Sequence, residues 1–138
     1  MSNHITVTGN LTRDPELRFT QGGKAVCNLG VADDHRYMKD NEWQSDVTFH
    51  NLTIWGDLGE NVAASLFKGD TIVCNGRLAG RTWEDAEGAK RTSFDIIVDS
   101  IGPSLRWVTT TSDKVAKGDS KPRPNATKEP AHGDEDPF

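Results

Sequence analysis

Residues 46–56 read DVTFHNLTIWG, and this stretch decides the fold because it predicts a strand whose two faces differ in character. Successive side chains of a strand point to opposite faces, so Leu52 and Ile54 share one face. Phe49 and Trp55 share the other face, where they stand at the two ends of a polar row. This face is suited either to binding flat ligands or to packing under a loop or against another subunit, and the stretch alone leaves both interpretations open.

Composition divides the 138-residue chain near Val108. Residues 1–108 hold every Ile, Leu, Trp and Tyr, which is enough for one domain with a modest core. Residues 109–138 hold four of the six prolines and few apolar side chains. They cannot bury enough apolar surface to offset the entropy lost on ordering. We therefore expect a folded domain over residues 1–108 and a disordered linker with an acidic tip over residues 109–138.

Charge and cysteine usage limit the classes of protein that fit. The net charge is −5, so binding to nucleic acid would require a local cluster of basic residues. Cys27 and Cys74 lie in apolar runs without C-x-x-C spacing, which predicts buried free thiols in a reducing cytosol. The chain has no charged-then-apolar leader and no apolar run near 18 residues, so we expect a cytoplasmic protein.

Apolar alternation predicts five strands, over residues 5–11, 25–31, 46–56 and 72–83 and from Lys90 to a stop at Gly102-Pro103. Residues 17–20 are expected to form a further short extended piece. A helix over Asp57–Lys68, with Asp57 and Glu60 as a capping box, is expected between the third and fourth strands. This order is typical of a mainly β, five-stranded barrel of the oligonucleotide/oligosaccharide-binding (OB) type. SH3-like barrels lack such a helix, and lipocalin-type barrels need more strands.

Three local predictions concern the sheet surface. Residues 21–24, QGGK, predict a hairpin turn before the second strand, whose outward positions 28, 30 and 32 are small and leave room for something to approach. Residues 33–45, DDHRYMKDNEWQS, predict a polar loop that is too long for a tight hairpin. The aromatic side chains in this loop, Tyr37 and Trp43, are slightly more typical of residues that pin a loop to the body than of ligand contacts.

The fourth and fifth strands carry the expected basic cluster. Arg77, Arg81 and Trp83 fall on the face opposite the apolar residues of the fourth strand, forming a basic and aromatic stripe. Lys90 and Arg91 add charge where the fifth strand begins. On that strand Phe94, Ile96 and Val98 are expected to face inward.

The chain resembles the bacterial single-stranded-DNA-binding protein family. The resemblance is carried by TVTGNLTRDPELRFTQGGKAVCNLGVA and ENVAASLFKGDTIVCNGRLAGRTWEDAEGAKRT, and it spans residues 3 to about 108. It implies a homotetramer in which four aromatic side chains stack on single-stranded DNA. The resemblance places these at Tyr37, Phe49, Trp55 and Trp83, with Tyr37 and Phe49 standing where tryptophans are usual.

The end of the chain, GDEDPF, resembles the family's tip, which is similar to DDDIPF. The resemblance implies that this tip recruits genome-maintenance proteins, with Phe138 in an apolar pocket and the acids against basic groups. Asp136 replaces the apolar residue usual before the proline. An acidic solubilising tail is the other interpretation. The tip residues are Asp134, Glu135, Asp136, Pro137 and Phe138.

The remaining acids and histidines are scattered, without the order of a catalytic triad, a phosphate loop or metal-ligand spacing. We therefore expect no enzyme activity, no cofactor and no metal. The resemblance implies nucleoid-associated binding of single-stranded DNA in replication, recombination and repair. A primosome-like module acting through protein contacts and an RNA-binding barrel of cold-shock type are the alternatives. The residues expected to contact DNA are Tyr37, Phe49, Trp55, Trp83, Arg77, Arg81, Arg13, Lys24, Lys90 and Arg91.

Overall fold

The computed structural model describes residues 1–115, and the folded unit is Met1–Trp107. Within the described residues the chain forms six strands and one helix. In chain order these are β1 (His4–Leu11), β2 (Glu16–Phe19), β3 (Ala25–Lys39), β4 (Glu42–Trp55), α1 (Gly56–Ser65), β5 (Thr71–Glu84) and β6 (Lys90–Pro103). No helix of this part of the chain has the length and apolar character needed to cross a membrane.

Hydrogen bonds between strands close a ring in the order β1, β5, β6, β4, β3. The ring closes where β1 pairs again with β3, at Asn10–Ala32 and Leu11–Val31. β2 overlaps the short extended piece expected over residues 17–20, and it pairs with β3. The expectation of a mainly β, OB-type fold with one helix between its third and fourth ring strands in chain order is confirmed, because α1 joins β4 to β5.

The core lies inside this ring and follows the predicted alternation. Leu52 and Ile54 have no exposed surface, whereas their odd-numbered neighbours Phe49 and Trp55 are exposed. The inward side chains of β3, β5 and β6 pack around them, and Val62 of α1 adds to the same cluster. The two faces of residues 46–56 are therefore as predicted, since burying one face of a strand exposes the other.

The helix differs from its prediction at both ends. It spans Gly56–Ser65, not Asp57–Lys68, and the capping box formed by Asp57 and Glu60 is wrong. Trp55 is the N-cap residue, with extended backbone and no side-chain capping hydrogen bond. The strand runs directly into the helix through a glycine with φ of 73°, so no linker remains in which a polar cap could form.

The predicted loop over residues 33–45 is wrong, because β3 and β4 continue through it as a two-stranded arm. The strands stay paired as far as Lys39 and Glu42. Asp40 and Asn41 form the turn with φ of 52° and 65°, the left-handed conformation that both residues of a type I′ turn require. Asp and Asn tolerate this conformation, so a tight hairpin forms here without glycine.

The expectation for Phe94 is also wrong, because its side chain is 58% exposed while Ile96 and Val98 are buried. β6 pairs with β4 only over Asp95–Ile97, so Phe94 lies beyond that contact, on an arm made by β5 and β6 alone. An added Cβ at Gly80 would lie 2.9 Å from the Phe94 ring, which therefore packs closely beside a glycine.

Candidate nucleic-acid interface

The outward face of β4 carries what we call the platform, defined by Phe49, Asn51, Thr53 and Trp55. The two aromatic side chains are 72% and 40% exposed. Thr53 donates a hydrogen bond of 3.5 Å to Asn28 on β3, and Asn51 lies opposite Gly30. The platform is thus a polar floor with an exposed ring at each end, as its alternating sequence predicts.

Arg13 lies over the middle of this platform. A Cβ added to Gly30 would contact an Nη atom of Arg13 and lie 2.6 Å from the Thr12 hydroxyl oxygen. The backbone N–H of Thr12 donates to the Gly30 carbonyl at 2.9 Å, which anchors the segment that carries Arg13. The predicted room above the small residues of β3 is therefore filled, at Gly30, by a guanidinium group.

Lys24 brings a second cation to the platform. Its Nζ lies 4.9 Å from the centroid of the Trp55 ring, within the range of a cation–π interaction. The predicted turn before β3 holds it there, since the N–H of Thr20 donates to the Lys24 carbonyl at 2.9 Å. Gly23 has a φ of 85°, which explains the need for glycine in this turn.

The β5–β6 arm carries the basic and aromatic stripe on the same outward face of the sheet as the platform, because Thr53 pairs with Ile97 and Ile97 pairs with Arg77. The register shift at Asn75/Gly76 precedes the stripe, so Arg77, Arg81 and Trp83 keep their shared face. The Arg81 guanidinium lies 5.4 Å from the centroid of the Trp83 ring, and its Nε donates to Ser93 at 3.3 Å. Trp83 is 44% exposed, so its ring remains open to a ligand.

Lys90 and Arg91 have different surroundings, although the sequence presents them as equivalent. Arg91 pairs with Trp83 across the arm, but its Nε donates to Asp85 at 3.0 Å. That guanidinium, together with the N–H of Ala89, lowers the pKa of Asp85 below its ordinary value. Lys90 faces the other way, because it pairs with Glu84.

Tyr37 lies on the opposite face of the β3–β4 arm from Phe49 and Trp55. The register pairs it with Gln44, an even position of β4, and its ring stacks on His35 with centroids 5.8 Å apart. Of the four aromatic residues implied by the family resemblance, Phe49, Trp55 and Trp83 therefore lie on the outward face of the sheet. Tyr37 lies on the reverse of the β3–β4 arm.

Two exposed side chains near these surfaces were not among the expected contacts. Arg18 of β2 pairs with Val26, which is itself the partner of Trp55, so this arginine borders the platform. Trp43 lies on the platform's face of β4, since it is an even number of residues from Phe49. Even spacing along the chain is the signal that finds Trp43, but it applies only when the intervening residues form a continuous strand.

Other expectations for binding groups concern metals, thiols and the tip. Residues 1–115 contain no group of three or more His, Cys, Asp or Glu side chains that could hold a metal ion. Cys27 and Cys74 are buried free thiols, and burial raises their thiol pKa. The predicted partner-binding tip, residues 134–138, lies outside the described residues.

Comparison with known proteins agrees with the fold and with the resemblance. The model of the single-strand binding protein family matches residues 2–104. The single-stranded DNA-binding protein of Mycobacterium tuberculosis (strain ATCC 25618 / H37Rv) is 43% identical over an alignment of 142 positions, gaps included, covering 97% of this chain and 85% of the relative. That of Paenarthrobacter aurescens is 43% identical over 120 residues, covering 85% of this chain and 70% of the relative.

A solved structure extends the similarity to three dimensions. It is the crystal structure of the small single-stranded DNA-binding protein from Streptomyces coelicolor, with a TM-score of 0.66 and 31% identity. The match covers 76% of this chain and 96% of that one. Together with the family match over residues 2–104, this shows that the chain belongs to the single-strand binding protein family.

Proposed function

We propose that this chain binds single-stranded DNA with little sequence preference. The observation that carries the proposal is the platform, where two exposed aromatic rings bracket a polar floor and two cations lie beside them. Every base has a flat face, so stacking on Phe49 and Trp55 accepts any sequence at about 1–3 kcal/mol per base. Arg13 and Lys24 would meet the phosphates that connect the stacked bases.

Local placement of charge explains how a chain with a net charge of −5 can bind a polyanion. Arg13 and Lys24 lie at the platform, and Arg81 stacks on Trp83 in the second arm. Arg91 contributes less, because its guanidinium is already paired with Asp85. The cations that remain available therefore stand beside the rings on which bases would stack.

The wider role extends the family resemblance. The chain would assemble as a homotetramer that protects single-stranded DNA in the cytoplasm, near the nucleoid. Its tip would recruit replication, recombination and repair proteins, acting as a short anchor in a pocket of the partner. Light scattering tests the assembly, because a homotetramer would have four times the mass of one chain.

Binding is tested with a labelled oligo-dT, followed by anisotropy of the label and by tryptophan emission. We expect both signals to change at the same stoichiometry, since bases stacked on indole rings quench their fluorescence. A matched oligo-U competes poorly if DNA is the preferred ligand, and equal competition would favour the RNA-binding alternative. Unchanged anisotropy across the titration would contradict the proposal and leave a module that acts through protein contacts.

Arg81→Ala tests the contribution of the β5–β6 arm. The logarithm of the binding constant should fall with the logarithm of salt concentration at about −0.7 per phosphate contacted, and this variant should reduce the slope by about one contact. Arg106→Ala is the matched control, because Arg106 stacks on Trp107 at 5.5 Å but lies outside the strands. Equal slopes for wild type and Arg81→Ala would remove this arginine from the interface.

Gly30→Ala tests whether Arg13 acts from its place above the platform. The added methyl group would displace the Arg13 guanidinium and the Thr12 hydroxyl, so we expect weaker binding and a salt slope reduced by about 0.7. Gly22→Ala is the control, because a Cβ there meets no atom within 4 Å. Thermal unfolding should change little in either variant. Wild-type binding by Gly30→Ala would show that the position of Arg13 is unimportant.

A further inference from the structure

Three aromatic residues lie on one face of β4 at equal intervals. Trp43, Phe49 and Trp55 are each six residues apart. β3 and β4 pair from Val26–Trp55 to Lys39–Glu42 with consecutive partners throughout. Side chains separated by an even number of residues on an uninterrupted strand share a face. At about 3.4 Å per residue, Trp43 therefore lies roughly 20 Å beyond Phe49 on the same surface.

The arm that carries Trp43 has no core beneath it. β4 pairs with β6 only over Asn51–Thr53, so the part of β4 that precedes these residues is paired with β3 alone. Trp43 and its cross-strand partner Met38 are 63% and 54% exposed. Large apolar side chains on a solvated two-stranded ribbon do not stabilise a core, and such exposed patches mark sites of interaction.

Trp43 also repeats the chemistry found at the platform. The Arg36 guanidinium lies 5.5 Å from the centroid of the Trp43 ring, as Lys24 lies 4.9 Å from that of Trp55. Both pairs place a cation against an exposed indole, which offers a base its stacking surface and a phosphate its counter-charge. Trp, Arg and Met are enriched in protein–protein interfaces as well. The nucleic-acid interpretation therefore rests on the alignment of Trp43 with Phe49 and Trp55 on one strand face.

We propose that Trp43, Arg36 and Met38 form a further base-stacking site at the end of the β3–β4 arm, in line with the platform. The inference rests on the proposed binding of single-stranded DNA and extends it. One DNA strand would follow the outward face of β4 from Trp55 past Phe49 to Trp43, a path of about 40 Å. The arm would then serve as part of the binding surface and not only as a connection between strands.

A variant in which Trp43 is the only tryptophan tests the contact directly. The substitutions Trp55→Phe, Trp83→Phe and Trp107→Phe keep an aromatic ring at each position. Titration with an oligo-dT of about thirty nucleotides, longer than the site of one OB fold, should quench Trp43 emission in step with the anisotropy of the labelled DNA. Rising anisotropy with unchanged emission would overturn the proposed site while leaving DNA binding intact. If anisotropy does not rise even for the wild type, both the proposed function and this site are wrong.

Affinity gives the second measurement. We expect Trp43→Ala to weaken binding of the same oligo-dT by roughly 5- to 150-fold, the range for loss of one stacked base, and Trp43→Phe to retain most of the affinity. Trp107→Ala is the matched control and should bind like wild type, because Trp107 has an arginine at the same 5.5 Å and is 74% exposed but lies outside the strands. Wild-type affinity of Trp43→Ala would overturn the proposal, as would equal losses in the Trp43→Ala and Trp107→Ala variants.

If Trp43 formed a contact between subunits instead, the Trp43→Ala variant would behave differently. Trp43→Ala would then change the mass measured by light scattering and leave the affinity per chain unchanged. That outcome would also overturn the proposal. The expected outcome is an unchanged mass with weakened binding.

Discussion

Ile54→Ala should lower the free energy of unfolding by about 2–5 kcal/mol, the usual cost of removing a buried aliphatic side chain. Ile54 has no exposed surface and packs in the core cluster inside the ring of strands. Its neighbour Trp55 is 40% exposed on the other face, so Trp55→Ala should leave the fold intact. That variant should instead weaken oligo-dT binding by about 1–3 kcal/mol.

Chemical denaturation and oligo-dT titration of both variants provide the measurements. Ile54→Val is the conservative control and should cost only about 0.5–1.5 kcal/mol of stability. A Trp55→Ala variant that unfolds would place Trp55 in the core and remove the platform. If it remains folded and binds like wild type, Trp55 belongs to a subunit contact instead.

Deletion of residues 134–138 should abolish binding to a genome-maintenance partner, such as a recombination mediator, because the aromatic anchor is lost with the acids. The same deletion should leave oligo-dT binding intact or slightly tighter. The acids of the tip are covalently attached to the domain and compete weakly with phosphates for its cations. A pull-down with the partner at micromolar concentration and an oligo-dT titration measure the two effects separately.

Phe138→Ala distinguishes an anchor from a purely electrostatic tail, because it keeps every acid of the tip. An anchored tip requires this variant to fail in the pull-down even at low salt, where charge attraction is strongest. In a companion variant, Asp134, Glu135 and Asp136 are replaced by their amides and Phe138 is kept. The loss of partner binding in this variant measures how much the acidic charges contribute. Retained binding by Phe138→Ala would reduce the terminus to a solubilising tail.

Local sequence was sufficient wherever one side of a strand is buried. The alternation of Leu52 and Ile54 with Phe49 and Trp55 predicted both the core and the platform, because a one-residue shift would expose every apolar side chain. The stripe of Arg77, Arg81 and Trp83 was found by the same period. The helix was placed between the correct strands, although its capping was wrong because Gly56 joins strand and helix directly.

The arm over residues 33–50 shows where local sequence was insufficient. A ribbon solvated on both faces needs no apolar alternation, so its pattern is that of a polar loop. The turn at Asp40 and Asn41 contains no glycine to mark it. Only the continuous pairing with β3 shows that Trp43 shares the face of Phe49, and that Tyr37 lies on the other one.

The sequence by itself therefore determined which side chains are buried and which are exposed where the ring strands cover the core, because burial imposes a period that the residues must follow. Beyond the core, at Phe94, that period did not predict exposure. Only the tertiary structure decided which residues that are far apart in the sequence lie in contact. Arg13 lies over Gly30 and Lys24 over Trp55 because the ring brings their segments together. Arg91 is paired with Asp85 because the arm turns between them. Such meetings depend on strand register and ring closure, which no local pattern of residues encodes.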